Sequence, residues 1–407
     1  MSDLLRKLRV QQLLNESGSG PLLLNEYQKF AQRTDQSASS IHLTGPSFLL
    51  LGLFGEVGSL LSELKKKFRD KDAYADFDRM LLEEFGDVLW YFSVVASRVG
   101  LSLEALAGQA AQQDIPAHPY LGSLTPTSFL DLQGPGLPLP LSANSQSDAL
   151  LDLGSHVGKL LEDAKLAEDP NGLPMFENDL NSLFRYLLIA ANAANVSLAL
   201  AAELNLAKIV SRWPLERVPG ERYDEKSVAE EKLPPLVRMV FRQKIIGSKK
   251  YVFQSWNGVN IGDRLSDNAL QEDDFRFHDV FHLSYAAVLG WSPVLRALLR
   301  LKRKSEPEID EVQDGARAIL IEEGIATWVF NHSKDLDFFS HIDNLDYSLL
   351  KAIQRFVVGY EVESRQLWEW EKAILDGFKV FRQLRENGGG TVIAEMESRT
   401  IRYEPQV

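Results

Sequence analysis

Cysteine is absent from all 407 residues. Disulfides and thiolate metal sites are therefore excluded, and a reducing cytoplasm is the compartment expected for the chain. There is also no apolar run long enough to span a membrane. The first residues, MSDLLRKLRVQQLL, lack the apolar stretch of a signal peptide. They read instead as a short amphipathic helix packed on the body, so no membrane partner is expected. Positive charge is scarce: 44 Lys and Arg face 57 Asp and Glu, for a net charge of −13. Stable nucleic-acid binding is not expected, because neutralising a phosphate backbone needs clustered cations. A phosphate ligand held through a metal ion or a local basic pocket stays open. A phosphate loop is missing too: Gly388-Gly389-Gly390 lacks the Lys-Ser/Thr and the helix that should follow, and reads as a turn.

What the chain does contain is a duplication. The run LLGLFGEVGSLLSELKKK, followed by LLEEFGDVLWYFSVVASRVGLSL, returns as LLDLGSHVGKLLEDAK, followed by FENDLNSLFRYLLIAANAANVSL. Val57-Gly58, Leu60-Leu61, Tyr91 and Ser102-Leu103 recur as Val157-Gly158, Leu160-Leu161, Tyr186 and Ser197-Leu198. The acids do not recur. Glu56 becomes His156, Glu84 becomes Asp179 and Asp87 becomes Ser182.

Helical apolar spacing marks residues 21–113 and 148–214 as two such blocks, joined by a Pro/Gly/Ser-rich linker over 114–147. Residues 221–407 have a different texture. Strands flank an Asn257-Gly258 turn, helices are expected near 274–303, 309–333 and 346–385, and the last stretch alternates like a β-hairpin. The aromatic stripe Trp368, Trp370 and Phe378 reads as core or an oligomer face. Arg300-Leu301-Lys302-Arg303-Lys304 reads as a solvated helix end, or as a patch steering an anionic ligand.

Glu84 and Asp87 stand three apart on one helix and share a face; Glu56 and Glu63 share a face of the preceding helix. Two antiparallel helices can bring such oxygens together inside a bundle. Leu82, Phe85, Val88 and Leu89 surround Glu84 and Asp87 and draw them toward a partly buried face, where an uncompensated acid is costly. Hard oxygen ligands of this kind suit Mg²⁺ or Mn²⁺. Acids on an exposed face, simply solvated, are the plainer alternative.

With Asn25-Glu26-Tyr27-Gln28, Gly52-Leu53-Phe54-Gly55-Glu56-Val57-Gly58, Lys65-Lys66-Lys67 and Leu82-Glu83-Glu84-Phe85-Gly86-Asp87-Val88-Leu89-Trp90-Tyr91, residues 21–113 resemble the MazG-like, all-α nucleoside triphosphate pyrophosphohydrolases. Residues 148–213 look like a degraded copy, and the resemblance does not extend into the last part of the chain. It implies hydrolysis of an NTP or dNTP to NMP and pyrophosphate. Glu56, Glu84 and Asp87 would bind Mg²⁺, Glu63 and Glu83 would be supporting acids, and Lys67 a substrate contact. The family usually has a second acid three residues after the first; this chain has Ser59 there. The family pattern also has Asn-x-x-Lys and a later Arg on its last helix. Repeat one has Ala110 and Gln113 at those places, whereas repeat two has Asn205, Lys208 and Arg212. Since family members commonly pair subunits through these helices, the resemblance implies one composite site shared by the two repeats, and a homo-oligomer, such as a dimer of the tandem unit. A nucleotide sensor that has lost the chemistry is the rival reading.

In the last part, His278 and His282 stand four apart, with Asp279 beside them and Glu322-Glu323 on a later helix. The set is a possible second metal site of the zinc or iron kind, and the seat of a rival hydrolase; satisfied core histidines are the alternative. The expected fold is thus mainly all-α: tandem MazG-like four-helix bundles plus a C-terminal helical domain with a small β-hairpin element.

Overall fold

The computed structural model describes residues 20–35, 46–112, 123, 125–133, 143–164, 171–214 and 216–405. It divides into two compact units, Met1–Trp213 and Pro214–Val407. The amphipathic helix expected at the N-terminus and most of the 114–147 linker lie outside the described residues.

The first unit is helical. α1 (Leu24–Thr34) buries Leu24, Tyr27, Gln28 and Ala31, spaced to form one stripe. α2 (Pro46–Asp70) and α3 (Phe77–Arg98) pack as a hairpin, as do α5 (Ala143–Glu162) and α6 (Leu173–Ala193). α4 (Leu103–Gln112) and α7 (Leu198–Arg212) are exchanged between the hairpins: α7 packs on α3, and α4 packs on α6. One apolar core runs through all of them, with Phe92 stacked on Phe184 at 5.1 Å between ring centroids.

The two halves repeat in their hydrogen bonds. Gln28 donates to the Leu101 carbonyl at 2.8 Å and to Ser97 Oγ at 3.0 Å, and accepts from the Leu103 amide at 2.7 Å, so it caps α4. Gln133 does the same for α7: it donates to the Val196 carbonyl at 2.9 Å and to Asn192 Oδ1 at 2.8 Å, and accepts from the Leu198 amide at 2.9 Å. The segments leading to these glutamines pair reciprocally, Leu24 N to Thr127 O at 2.9 Å and Phe129 N to Leu22 O at 3.1 Å. Gln133 follows a 3₁₀ turn, Phe129–Leu132, inside the stretch read as linker. That stretch thus contributes a structural element to the second half.

The second unit adds a sheet to helices. β1 (Leu236–Ile246) lies between two hairpins, β2 (Lys249–Trp256) with β3 (Val259–Leu265), and β4 (Gly389–Glu395) with β5 (Thr400–Glu404), in the antiparallel order β3-β2-β1-β4-β5. Asn257 and Gly258, at φ 50° and 78°, make the turn between β2 and β3. The small hairpin element expected from sequence is therefore part of a five-stranded sheet. Leu236–Ile246, whose Val237, Met239 and Phe241 alternate inward, was not read as a strand. Of the three glycines read as a turn, Gly388 caps a helix at φ 64°, and Gly389 and Gly390 open β4.

The expected helix over 274–303 is broken. α8 (Asp279–Ser284) passes into a π-turn, Tyr285–Leu289, which ends at Gly290 with φ 68°, and α9 (Pro293–Leu299) follows. α10 (Pro307–Val312), α11 (Ala316–Ser333), α12 (Tyr347–Phe356) and α13 (Leu367–Asn387) complete the unit. Trp368, Trp370 and Phe378 are core. Arg303, read as part of a solvated basic patch, is buried: its guanidinium holds Asp314 at 2.7 Å and Glu361 at 2.7 Å. Two carboxylates are what permit a buried cation there.

Candidate active site

The acids of α2 and α3 meet on the surface that α7 covers. Oxygens of Glu56, Glu84 and Asp87 lie within 4.8 Å of one another. Glycines make this approach possible. A Cβ on Gly86 would lie 2.8 Å from the Ala201 carbonyl and 2.9 Å from Asn205 Cβ, so α7 can lie against α3 only if position 86 has no side chain. A Cβ on Gly52 would lie 2.1 Å from the Tyr91 ring, which fixes the spacing of α2 and α3 beside Glu56.

From α7, Lys208 Nζ donates to both oxygens of Asp87 and stands 3.8 Å from Glu83. Asn205 Nδ2 donates to Asp87 Oδ1 at 2.8 Å. Tyr27, from α1, donates to Asn205 Oδ1 at 3.0 Å and thereby fixes which end of the amide faces Asp87. The buried Tyr27 hydroxyl is held well above its ordinary pKa, by burial and then by the charge of Asp87, so it stays a donor.

Glu56, Glu83, Glu84 and Asp87 thus gather four carboxyls around the ammonium of Lys208. The strain is visible at Glu56. Burial, then repulsion by Asp87, push its pKa up to about 7 against the opposing pull of Lys208 and a hydrogen bond with Glu84. Crowded, partly buried, hard oxygen donors fit a divalent cation, and Glu56, Glu84 and Asp87 are the residues that could hold one.

Three candidates point elsewhere. Glu63 is engaged by Lys66 at 2.6 Å and by the Tyr74 hydroxyl. Lys67 Nζ lies 5.9 Å above the Phe77 ring and donates to the Lys71 carbonyl at 3.4 Å. The Arg212 guanidinium lies 4.5 Å over Trp213. In the second half, His156 stacks on Tyr186 at 3.7 Å and Lys159 pairs with Asp179 at 2.6 Å, so the positions corresponding to the acids fill their own space. Tyr27 and Gly86 were not singled out from sequence as site-forming residues, although both sit inside the quoted motifs.

In the second unit, His278 and His282 from α8 and Glu323 from α11 bring three donor atoms within 4.8 Å of one another. Glu322 is a different kind of residue: its oxygens accept from Ser292 Oγ at 2.7 Å and from the Val294 amide at 2.8 Å, and one faces His282 Nδ1 at 2.8 Å. It was read as a ligand, but it orients His282; Glu323 is the acid that faces both rings. Burial alone would lower the His282 pKa, and Glu322 with Glu323 outweigh it and hold the ring well above its ordinary value.

Residues 218–407 match a family model described as the MazG C-terminal domain. The second unit is thus similar to the C-terminal domain of MazG proteins. The match covers the part of the chain to which the sequence resemblance was not extended, so both units now carry a MazG connection, one by motif and one by family model. Among curated proteins, the chain is 33% identical over 66 residues to "Gene 37 protein" of Mycobacterium phage L5, an overlap of 16% of this chain and 58% of that protein. The chain thus spans less than two thirds of this relative. No solved structure matches significantly. Among the described residues, no single helix is long and apolar enough to cross a membrane.

Proposed function

We propose that this MazG-like chain is a Mg²⁺-dependent nucleotide pyrophosphohydrolase, and that its first unit is a covalent pseudo-dimer with one composite site. The observation that carries the reading is the pairing of Asp87, from the acid-bearing half, with Asn205 and Lys208, from the half that lost its acids. The reciprocal capping by Gln28 and Gln133 supports the two-fold arrangement.

Glu56, Glu84 and Asp87 would hold the ion, with Mn²⁺ as a substitute. When bound, Mg²⁺ would neutralise phosphate charge and share its coordination with the substrate. Lys208 sits where its ammonium can move from Asp87 to a phosphate oxygen and offset the charge that develops there. Asn205, held by Tyr27, keeps the Asp87 carboxylate aimed. Glu63 is engaged by Lys66 and Tyr74, and Glu83, 3.8 Å from Lys208, would orient and deprotonate water. The water oxygen would attack the α-phosphorus, the bond to the α–β bridging oxygen would break, and NMP and pyrophosphate would leave. Ser59 adds no carboxylate, so the ion would rest on three acids rather than four.

Pyrophosphate release over a panel of NTPs and dNTPs, with and without Mg²⁺, tests this. Turnover should require the ion and fall by about 10²-fold or more in Glu84→Gln. Nucleotide binding without turnover would favour a sensor instead, and turnover unchanged in Glu84→Gln would move the chemistry out of the first unit.

A further inference from the structure

In the second unit the two imidazoles of α8 have their tautomers set from behind. His278 Nδ1 lies 2.9 Å from the Phe275 carbonyl, which only accepts, so that nitrogen carries the proton and Nε2 presents a lone pair. His282 Nδ1 lies 2.8 Å from Glu322 Oε1, an oxygen that already accepts from Ser292, so here too Nε2 is the free nitrogen. A carboxylate or carbonyl behind the ring is the usual support for a metal-ligating histidine.

The atoms in front are all acceptors. His282 Nε2 is fully buried, makes no hydrogen bond, and faces Glu323 Oε2 at 3.4 Å. His278 Nε2 faces the same oxygen at 3.9 Å and Asp279 Oδ1 at 3.1 Å. Gln254 donates to the other Asp279 oxygen and holds the first one toward the histidine. A proton or a metal ion supplies the positive centre that such acceptors need, and this donor set is one that a metal ion can use. Two ligand bonds of ~2.1 Å at a tetrahedral angle place their donor atoms about 3.4 Å apart, as His282 and Glu323 are.

The geometry points to a binding site for one divalent first-row transition-metal ion, held by His278 Nε2, His282 Nε2 and Glu323, with an Asp279 oxygen as a fourth ligand. The donor set of imidazole and carboxylate suits Zn²⁺, Fe²⁺ or Co²⁺, and differs from the all-oxygen cluster of the first unit. Glu323 is 39% exposed, so the ion would be reached from solvent on that side and could take an exogenous ligand there.

Co²⁺ titration of the full chain, stripped with a chelator and desalted, tests the site through visible ligand-field bands. One equivalent should bind with a spectrum of mixed nitrogen and oxygen ligation, and Zn²⁺ should displace it. Glu84→Gln, which removes an acid of the other cluster, should bind Co²⁺ unchanged. Glu323→Gln and His278→Ala should each weaken binding by at least about 10-fold while keeping the wild-type circular dichroism spectrum. Zn²⁺ should raise Tm in the wild type and Glu84→Gln, but not in Glu323→Gln, whose half-exposed side chain can change without loss of fold. Absence of ligand-field bands at one equivalent would overturn the proposal, as would binding that survives both substitutions or is lost in Glu84→Gln. Any of these results would leave the histidines as proton-bearing partners of Glu322 and Glu323.

Discussion

Glu56 is where the cost of assembling the acid cluster concentrates. Its carboxyl is pushed from 4.5 to about 7 by burial and by Asp87. An acid whose pKa rises on folding keeps its proton longer in the native state, so its contribution to stability falls as pH climbs from 4.5 to about 7. Without divalent ions, Tm should therefore decline more steeply across that window in the wild type than in Glu56→Gln. Differential scanning fluorimetry at pH 5, 6 and 7 measures the difference. A bound cation favours the ionised form, so Mg²⁺ should bind more tightly at pH 8 than at pH 6 by calorimetry, and the gain should vanish in Glu56→Gln. Tyr27 carries a second residue-scale prediction. Phenylalanine there removes the hydroxyl that donates to Asn205 Oδ1 in a buried setting, and should cost about 1–3 kcal/mol in urea unfolding. Because Asn205 would then be free to turn, the same variant should also lose activity.

At the scale of elements, the crossing of α7 over α3 depends on Gly86. Alanine there would press on the Ala201 carbonyl and Asn205 Cβ, and neither can move without shifting α7 as a whole. Overpacking of this kind costs about 1–3 kcal/mol, so Gly86→Ala should lower Tm and weaken nucleotide binding together. A drop in Tm with binding intact would mean that α7 does not build the site. The helices of the first unit were legible in the sequence because their apolar spacing is regular and the acids on α3 share a face. Gln133 was hidden by composition: a Pro/Gly/Ser-rich stretch reads as linker, although one glutamine in it makes the three bonds that Gln28 makes at the start of α4. Glu63 was misjudged because helical spacing gives the face of a residue and says nothing of Tyr74, which arrives from outside the helix. The choice between Glu322 and Glu323 could not be made from two adjacent acids, since it rests on Ser292 and Val294 from another element. Leu236–Ile246 pairs with β2 across only Gly247 and Ser248, but its other partner, β4, comes from the far end of the unit.

For the whole molecule, the two units divide the ionisable chemistry by type. The first gathers hard carboxylates and a lysine; the second sets imidazoles against carboxylates. In the first unit we propose that the duplication is a division of labour rather than one live copy beside one dead one, since the acids survive in one half and the cation that meets them in the other. That is the central claim, and steady-state pyrophosphate release by Lys208→Ala under saturating Mg²⁺ tests it most directly. The account predicts a fall in kcat/KM of about 10²-fold or more, with Mg²⁺ binding retained, because an ammonium that meets the phosphates has been lost from the opposite half. A kcat/KM equal to that of the wild type would contradict it.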